Sequence, residues 1–194
     1  MRKVKYKIVL ASNSPRRKEL LAGLDVPFEV RVIKGIQEGY PEDLPVTEIP
    51  KYIAREKAAA YEAAADELVI TADTVVVLGQ EVLGKPKDTA DASRMLHELS
   101  GRTHQVITGV CLTTQTQQRA FAVETDVTFK NLSDEEIAYY IEHYRPFDKA
   151  GAYGIQEWIG YIGVKDIRGS YFNVMGLPVQ RIWEEIKMLS VECC

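Results

Sequence analysis

The sequence predicts an α/β fold built on a mixed β-sheet. Apolar runs typical of strands alternate with segments of helical periodicity along the 194 residues. Two pairs of strand-like runs are separated only by short polar turns, which favours hairpins and therefore a mixed sheet over a doubly wound parallel one. The composition is 46% hydrophobic and 27% charged, as in ordinary globular proteins. No internal repeat or low-complexity linker divides the sequence, so we expect a single domain spanning residues 1–194.

Local patterns place the elements of the first half of the chain. The run at residues 7–10, which is apolar after Lys7, indicates a buried strand. Pro15 suits the first position of the helix that follows. Pro50 is likewise placed in the first turn of a second helix, and Gly79 with Gln80 indicates a hairpin turn. In order, we expect a strand at 7–10, a helix at about 15–24, a loop at 37–45, a helix at about 50–65, a strand at 68–78 and its hairpin partner at 81–83.

Capping residues mark the helices of the second half. Asp88 can cap a helix that reaches Leu99, and Gly101 is placed to end it. Ser133 followed by Glu136 forms a capping-box pattern. After the helix that Asp88 caps, we expect in order strands at 104–113 and 119–130, a helix from 133 that ends before Pro146, a strand at 161–167 and a final helix at about 178–189.

Charge and cysteine content exclude several classes of protein. The chain has 24 Lys and Arg against 28 Asp and Glu, a formal charge of -4, which argues against stable nucleic-acid binding. The apolar stretch after the basic start covers only residues 8–11, too short for a signal peptide, and no segment is long enough to span a membrane. Its three cysteines, Cys111, Cys193 and Cys194, have neither a disulfide nor a metal-ligand spacing, so we expect a cytoplasmic protein.

Three cations lie in the first turn of the first predicted helix. Ser14 can act as its N-cap and Pro15 as its first residue, which places Arg16, Arg17 and Lys18 next. A helix N-terminus carries partial positive charge and ordinarily attracts carboxylates, each contributing roughly 0.3–1 kcal/mol. Cations at this position are explained if a phosphate binds there. The alternative is a solvated basic patch.

Asp73 interrupts a run that otherwise has the character of a buried strand. Burying an ionised carboxylate without partners costs several kcal/mol, so Asp73 should coordinate a metal, pair with a cation or face a cleft. An edge-strand carboxylate facing water is the alternative. Glu38, in the proline-flanked loop, is a possible second carboxylate, although a loop glutamate is usually only solvated.

Two lysines and one glutamine are further candidates. Lys57 lies on an apolar stripe at helical spacing, formed with Ile49, Ile53 and Tyr61. It either points inward along that face or extends past the edge of the core into solvent. Lys85 follows the predicted hairpin, where it could line a site or be an ordinary turn lysine. Gln156 ends a segment with two glycines and could pair with the edge shared by uracil and thymine, unless the segment is an ordinary turn.

Several blocks of the sequence together resemble the Maf family over nearly the whole chain. The N-terminal block, residues 8–21, contains Ser12, Asn13, Ser14, Pro15, Arg16 and Arg17. The further blocks agree in order and spacing and are residues 54–58, 72–76, 84–86, 148–156 and 169–178.

The resemblance implies an elongated α/β fold related to the inosine-triphosphate pyrophosphatases, with a mixed β-sheet flanked by helices and two lobes around a central cleft. It also implies hydrolysis of a nucleoside triphosphate to the monophosphate and pyrophosphate, for which we hypothesise water attack at the α-phosphorus. Asp73 would be the general base and would hold, with Glu38, a divalent cation such as Mg²⁺ or Mn²⁺. The residues expected on the triphosphate are Ser12, Ser14, Arg17, Lys57 and Lys85.

Within the family, the sequence is similar to the subgroup that acts on dTTP and UTP. Arg16 stands where the 7-methyl-GTP subgroup tends to carry Trp, and the specificity positions correspond to Arg17, Thr74 and Gln156. The chain departs from the pattern at Gln37, where relatives often have an acid. Modified pyrimidine triphosphates are possible substrates, and a homodimer is plausible by family likeness. The alternative function is a non-catalytic, nucleotide-sensing regulator of septum formation and cell division.

Overall fold

The structure is a computed structural model that describes residues 4–36 and 39–191. Its strands are β1 (Lys7–Leu10), β2 (Phe28–Val30), β3 (Glu67–Leu78), β4 (Glu81–Leu83), β5 (Thr103–Thr113), β6 (Gln118–Phe129) and β7 (Val164–Arg168). Its helices are α1 (Pro15–Ala22), α2 (Ile49–Ala59), α3 (Thr89–Leu99), α4 (Asp134–Tyr144), α5 (Trp158–Gly163), α6 (Tyr171–Met175) and α7 (Val179–Val191), with a 3₁₀ turn at Ala150–Ala152.

The strands form one mixed sheet in the order β2-β1-β3-β5-β6-β7, with β4 paired to β3. β1 runs parallel to both β2 and β3, and Ile8 lies opposite Phe28 on one side and Leu68 on the other. β3 with β4, and β6 with β7, are antiparallel pairs. The predicted α/β fold with a mixed sheet is therefore confirmed, whereas the predicted elongated shape and central cleft stay predictions.

The described residues group into two compact units. The first takes in the residues up to Asp73, Thr108–Val123 and the residues from Gly176 onward. The second takes in Thr74–Ile107 and Glu124–Met175. The assignment of all 194 residues to a single domain stays a prediction. Among the described residues, no helix is both long enough and apolar enough to cross a membrane.

In the first unit, α2 packs closely on the sheet. Ala54 and Ala58 on α2 form a buried cluster with Cys111 on β5. Thr71 on β3 donates a hydrogen bond of 2.7 Å to the carbonyl of Ala54. Gly109 lies so close to the start of α2 that a Cβ atom there would be 2.2 Å from the backbone nitrogen of Lys51. These contacts fix the position of α2 and therefore the direction of its side chains.

In the second unit, an aromatic cluster joins β5, β6 and the loop before α5. His104, Phe129 and Tyr153 meet edge to face, with ring centroids 5.0–5.4 Å apart. The Nε2 atom of His104 lies 2.7 Å from the hydroxyl of Tyr153. Burial lowers the pKa of His104 from 6.5 to about 4, so its ring is neutral at pH 7.

Most predicted elements are present, and their differences have local causes. The helix expected to reach about residue 65 ends at Ala59, so Tyr61 packs beyond its end with Val9 and Val69. The strand expected at 161–167 begins only at Val164, because residues 158–163 form α5. Its first turn closes through hydrogen bonds from the N–H groups of Gly160 and Tyr161 to the carbonyl of Glu157. β2 and α6 are elements that the sequence patterns did not predict.

Candidate active site

The start of α1 follows a serine-rich turn, as predicted. The Oγ atom of Ser14 caps the helix by accepting a hydrogen bond of 3.4 Å from the N–H of Arg17, and Pro15 is the first helical residue. Ser12 is buried, and its Oγ accepts a hydrogen bond of 3.2 Å from the N–H of Ser14. The first turn of α1 has no acidic residue to balance the helix dipole. The structure therefore provides positive partial charge at this end of the helix.

Arg17 connects α1 to β3 and to the segment before α7. Its Nε atom donates a hydrogen bond of 2.8 Å to the carbonyl of Gly176, and Nη1 donates one of 2.8 Å to the carbonyl of Ala72. The Ala72 carbonyl belongs to the peptide unit that precedes Asp73. Arg17 thus helps to fix the backbone beside Asp73, and its predicted contact with phosphate stays a prediction.

Lys57 and Asp73 form a half-buried ion pair within the first unit. The ammonium nitrogen of Lys57, on α2, lies 2.8 Å from the Oδ1 atom of Asp73, on β3, and each side chain is 15% exposed. Ile49, Ile53 and Tyr61, the other members of the predicted stripe, are buried. Of the two interpretations of Lys57, the structure thus supports the inward one. It also gives Asp73 a cation as a partner, one of the three alternatives predicted for this carboxylate.

The described donors suit a cation held largely by substrate oxygens. No group of three or more His, Cys, Asp or Glu side chains in residues 4–36 and 39–191 could hold a metal ion. Glu38, the second predicted ligand, lies outside the described residues. Asp73 is a hard oxygen donor, and Mg²⁺ is commonly bound by one or two carboxylates together with substrate phosphates and water. The carboxylate of Asp73 fits such a site.

The second unit contains Thr74, Lys85 and Gln156. Thr74 is half-buried on β3, immediately after Asp73, and Lys85 is exposed just beyond β4. The carbonyl of Gly84 accepts a hydrogen bond of 3.0 Å from the N–H of Gly151. This bond connects the end of the hairpin, which carries Lys85, to the start of the loop that carries Gln156, here called the 151–156 loop.

The 151–156 loop turns sharply and leaves Gln156 half-buried, with its Oε1 atom inside. Gly151 and Ala152 both adopt positive φ angles, 67° and 57°, in the left-handed region. The Oε1 atom of Gln156 is buried and accepts no hydrogen bond from any residue that the structure describes. An unsatisfied buried acceptor costs about 1–3 kcal/mol. This oxygen is therefore suited to a donor supplied by a ligand.

Comparison with known proteins identifies the family of the chain. The model of the Maf-like protein family matches residues 7–189. The chain belongs to the Maf family. The chain is 65% identical over 187 residues to a protein of Phocaeicola vulgatus named dTTP/UTP pyrophosphatase, covering 95% of this chain and 97% of that protein. A protein of the same name from Parabacteroides distasonis is 60% identical over 185 residues, covering 94% of this chain and 96% of the relative.

A solved structure of a nucleoside-triphosphatase / dITP/XTP pyrophosphatase from Mycobacterium abscessus is also similar to this Maf chain. It is 17% identical, and the match covers 96% of this chain and 98% of the solved one with a TM-score of 0.47. That likeness is too low to support an argument about function.

One polar network of this Maf chain was not predicted from the sequence. The hydroxyl of Tyr140 donates a hydrogen bond to Glu157 and accepts one of 3.0 Å from the N–H of Gly154. Lys149 pairs with Glu157 at 3.1 Å. Burial, together with the bond to Glu157, raises the pKa of Tyr140, which therefore stays protonated. The sequence patterns do not reveal this network, because spacing does not pair residues across an irregular loop.

Proposed function

We propose that this Maf protein hydrolyses dTTP and UTP to the corresponding monophosphate and pyrophosphate. Relatives that are 65% and 60% identical to nearly the whole chain carry the name of this activity. The observation that best supports it is the half-buried pair of Lys57 and Asp73, because it combines a carboxylate that can accept a proton with a cation that can contact phosphate.

The triphosphate would bind at the positive start of α1. Ser12 and Ser14 line the turn, and the positive end of the α1 helix dipole faces the same end of the helix, which favours phosphate there. We infer that Lys57, Lys85 and Arg17 supply the positive charge that stabilises the departing pyrophosphate. The serines and the helix start bind and orient the substrate, whereas the cations lower the energy of the charged transition state.

A divalent cation such as Mg²⁺ or Mn²⁺ would be held by Asp73 and Glu38 together with the phosphates. When bound, such a cation neutralises phosphate charge and makes a water molecule more acidic. We propose that Asp73 accepts a proton from the attacking water. The water oxygen then bonds to the α-phosphorus, the bond from that phosphorus to the α,β-bridging oxygen breaks, and pyrophosphate leaves with the electron pair.

The position of attack can be tested by hydrolysis in ¹⁸O-water. Attack at the α-phosphorus places the label in the monophosphate. Label in pyrophosphate would contradict this step while leaving the overall activity intact.

The pyrimidine preference is assigned to Gln156, with Thr74 and Arg17. The buried Oε1 atom of Gln156 can accept a hydrogen bond from the N3–H group of uracil or thymine, and its amide nitrogen can donate to the adjacent carbonyl. Cytosine has no N3–H group, so it cannot satisfy that oxygen in the same way. The same edge is present in many modified uracil and thymine bases, which are possible substrates.

The activity can be tested by measuring pyrophosphate released from dTTP, UTP, CTP and 7-methyl-GTP with Mg²⁺ or Mn²⁺. We expect the fastest release from dTTP and UTP, and none after chelation of the metal. If none of the four nucleotides were hydrolysed, the result would instead favour the nucleotide-sensing regulator. A cytoplasmic location and a homodimer stay predictions.

A further inference from the structure

A network of hydrogen-bonded and charged side chains contacts the 151–156 loop. Lys149 lies 2.7 Å from an oxygen of Asp148 and 3.1 Å from the Oε1 atom of Glu157. The Oε2 atom of Glu157 accepts a hydrogen bond from the hydroxyl of Tyr140, and the oxygen of that hydroxyl accepts one of 3.0 Å from the N–H of Gly154. We call Lys149, Glu157 and Tyr140 the support network. It connects α4 to a backbone group two residues before Gln156.

The support network is closely packed as well as hydrogen-bonded. Tyr140 is fully buried and Lys149 is 8% exposed, so each polar group needs its partner. A Cβ atom at Gly154 would lie 2.9 Å from the Cδ atom of Glu157 and 3.1 Å from the Cε atom of Lys149. A residue larger than glycine at position 154 would therefore meet the side chains of the support network.

Two further contacts hold the rest of the loop. The N–H of Gly151 is bound to Gly84, and the Tyr153 hydroxyl lies 2.7 Å from His104. Together with the bond at Gly154, these contacts fix the loop at its start, at Tyr153 and at Gly154. Gln156 follows at the end of this fixed segment, so the position of its side chain depends on them.

Such support matters because a glutamine amide can pair with a base in two orientations. Rotation by half a turn exchanges its oxygen and its NH₂ group, so a freely placed Gln156 could pair with cytosine as well as with uracil. Selection against cytosine requires Gln156 to keep its oxygen toward the N3 position of the base. A functional side chain holds one orientation only when the residues around it fix its backbone and packing.

We propose that Lys149, Glu157 and Tyr140 are positioning residues for base selection. They hold the 151–156 loop so that the amide of Gln156 accepts uracil and thymine and disfavours cytosine. The inference rests on the proposed function and adds residues that do not themselves touch the nucleotide.

The test compares kcat/KM for UTP and CTP in the wild-type protein and in two variants, Tyr140→Phe and Glu157→Gln. Tyr140→Phe removes one hydroxyl and with it both hydrogen bonds, to Glu157 and from Gly154. We expect the UTP to CTP ratio to fall about five- to tenfold, as for the loss of one well-placed hydrogen bond. Glu157→Gln can still accept from Tyr140 but loses the charge that pairs with Lys149, so a smaller fall is expected.

Tyr144→Phe is the matched control. Tyr144 lies on the same helix, stacks on Tyr140 at 5.2 Å and is 37% exposed. Its hydroxyl makes no hydrogen bond with the described part of the chain, so this variant should keep the wild-type ratio. Thermal unfolding of all variants checks that they fold. If Tyr140→Phe does not fold, the comparison is made with Glu157→Gln.

The outcomes separate this inference from the proposed function. A merely structural network would lower kcat/KM for UTP and CTP by the same factor, and an unchanged ratio would overturn the inference while leaving the activity established. If the wild-type protein releases pyrophosphate from neither nucleotide, the proposed function fails first and the inference fails with it. A lowered ratio in both variants, with Tyr144→Phe unchanged, supports it.

Discussion

Replacing Asp73 with Asn tests the catalytic assignment with almost no change in shape. The Asn side chain keeps an oxygen that can accept the 2.8 Å hydrogen bond from Lys57, but it loses the negative charge. Both side chains of this pair are only 15% exposed, so loss of the charge should lower the free energy of unfolding by about 1–3 kcal/mol. For a chain of this length, the melting temperature should then fall by about 2–4 °C for each kcal/mol.

The effect on turnover should be much larger than the effect on folding. An amide cannot accept the proton of the attacking water, and a general base typically contributes a factor of about 10²–10⁴. This factor corresponds to a barrier higher by about 3–5 kcal/mol. Pyrophosphate release from saturating dTTP measures the loss in kcat. Calorimetric titration with a non-hydrolysable dTTP analogue measures binding, which should fall far less than kcat because Asp73 is one of several groups that would hold the cation and the triphosphate.

Asp66→Asn provides a matched control. Asp66 also accepts from a lysine, Lys7, at 2.7 Å, but the side chains of this pair are 56% and 76% exposed. The same substitution there should leave turnover unchanged. If Asp73→Asn kept near-wild-type turnover, Asp73 would not be the base. If it lost analogue binding in proportion to turnover, the role of Asp73 would be in binding the substrate.

Three more predictions concern base recognition and stability. Gln156→Ala should lower the preference for dTTP over 7-methyl-GTP while leaving hydrolysis possible, and an unchanged ratio of kcat/KM would count against its role. Gly109→Ala should lower the free energy of unfolding in urea by about 1–3 kcal/mol or more, because the added Cβ would meet the backbone at Lys51; wild-type stability would mean that α2 is not packed as described. His104 has a pKa lowered by burial to about 4, so the unfolded chain binds its proton first, and stability should fall by about 3 kcal/mol between pH 6.5 and pH 4. His104→Gln should lack that part of the pH dependence in urea unfolding, and an identical pH profile would refute it.

The fold was predictable wherever local chemistry decides the structure. Ser133 and Glu136 form the predicted capping box, and Asp88 caps α3 by accepting from the N–H of Asp91. These motifs act within four residues, so the sequence alone contains them. The strand wrongly expected to start at residue 161 has strand-like composition, but the turn at Glu157 extends a helix over its first three residues. The pattern of polarity does not distinguish a short apolar helix from a strand.

The candidate site was predictable by residue type more than by partnership. The position of Asp73 in an apolar strand indicated that it needs a partner, and helical spacing placed Lys57 on the inner face of α2. Spacing could not say whether Lys57 reaches Asp73, which is 16 residues away in sequence, since this depends on how α2 packs on the sheet. The bond between Tyr140 and Glu157 also joins a helix to an irregular loop, where no sequence period applies.

The sequence allowed two explanations for the cations at the start of α1, namely a bound phosphate and a solvated basic patch. Arg17 shows a third use of this charge. An arginine there opposes the helix dipole, which by itself favours a bound anion. In the structure, the guanidinium of Arg17 instead bonds to the carbonyls of Ala72 and Gly176, two acceptors that a planar fork with several N–H groups can serve at once. Part of the positive charge is therefore used to hold the backbone beside Asp73. The argument for phosphate at this helix then depends more on Ser12, the serine turn and the helix dipole than on the number of cations.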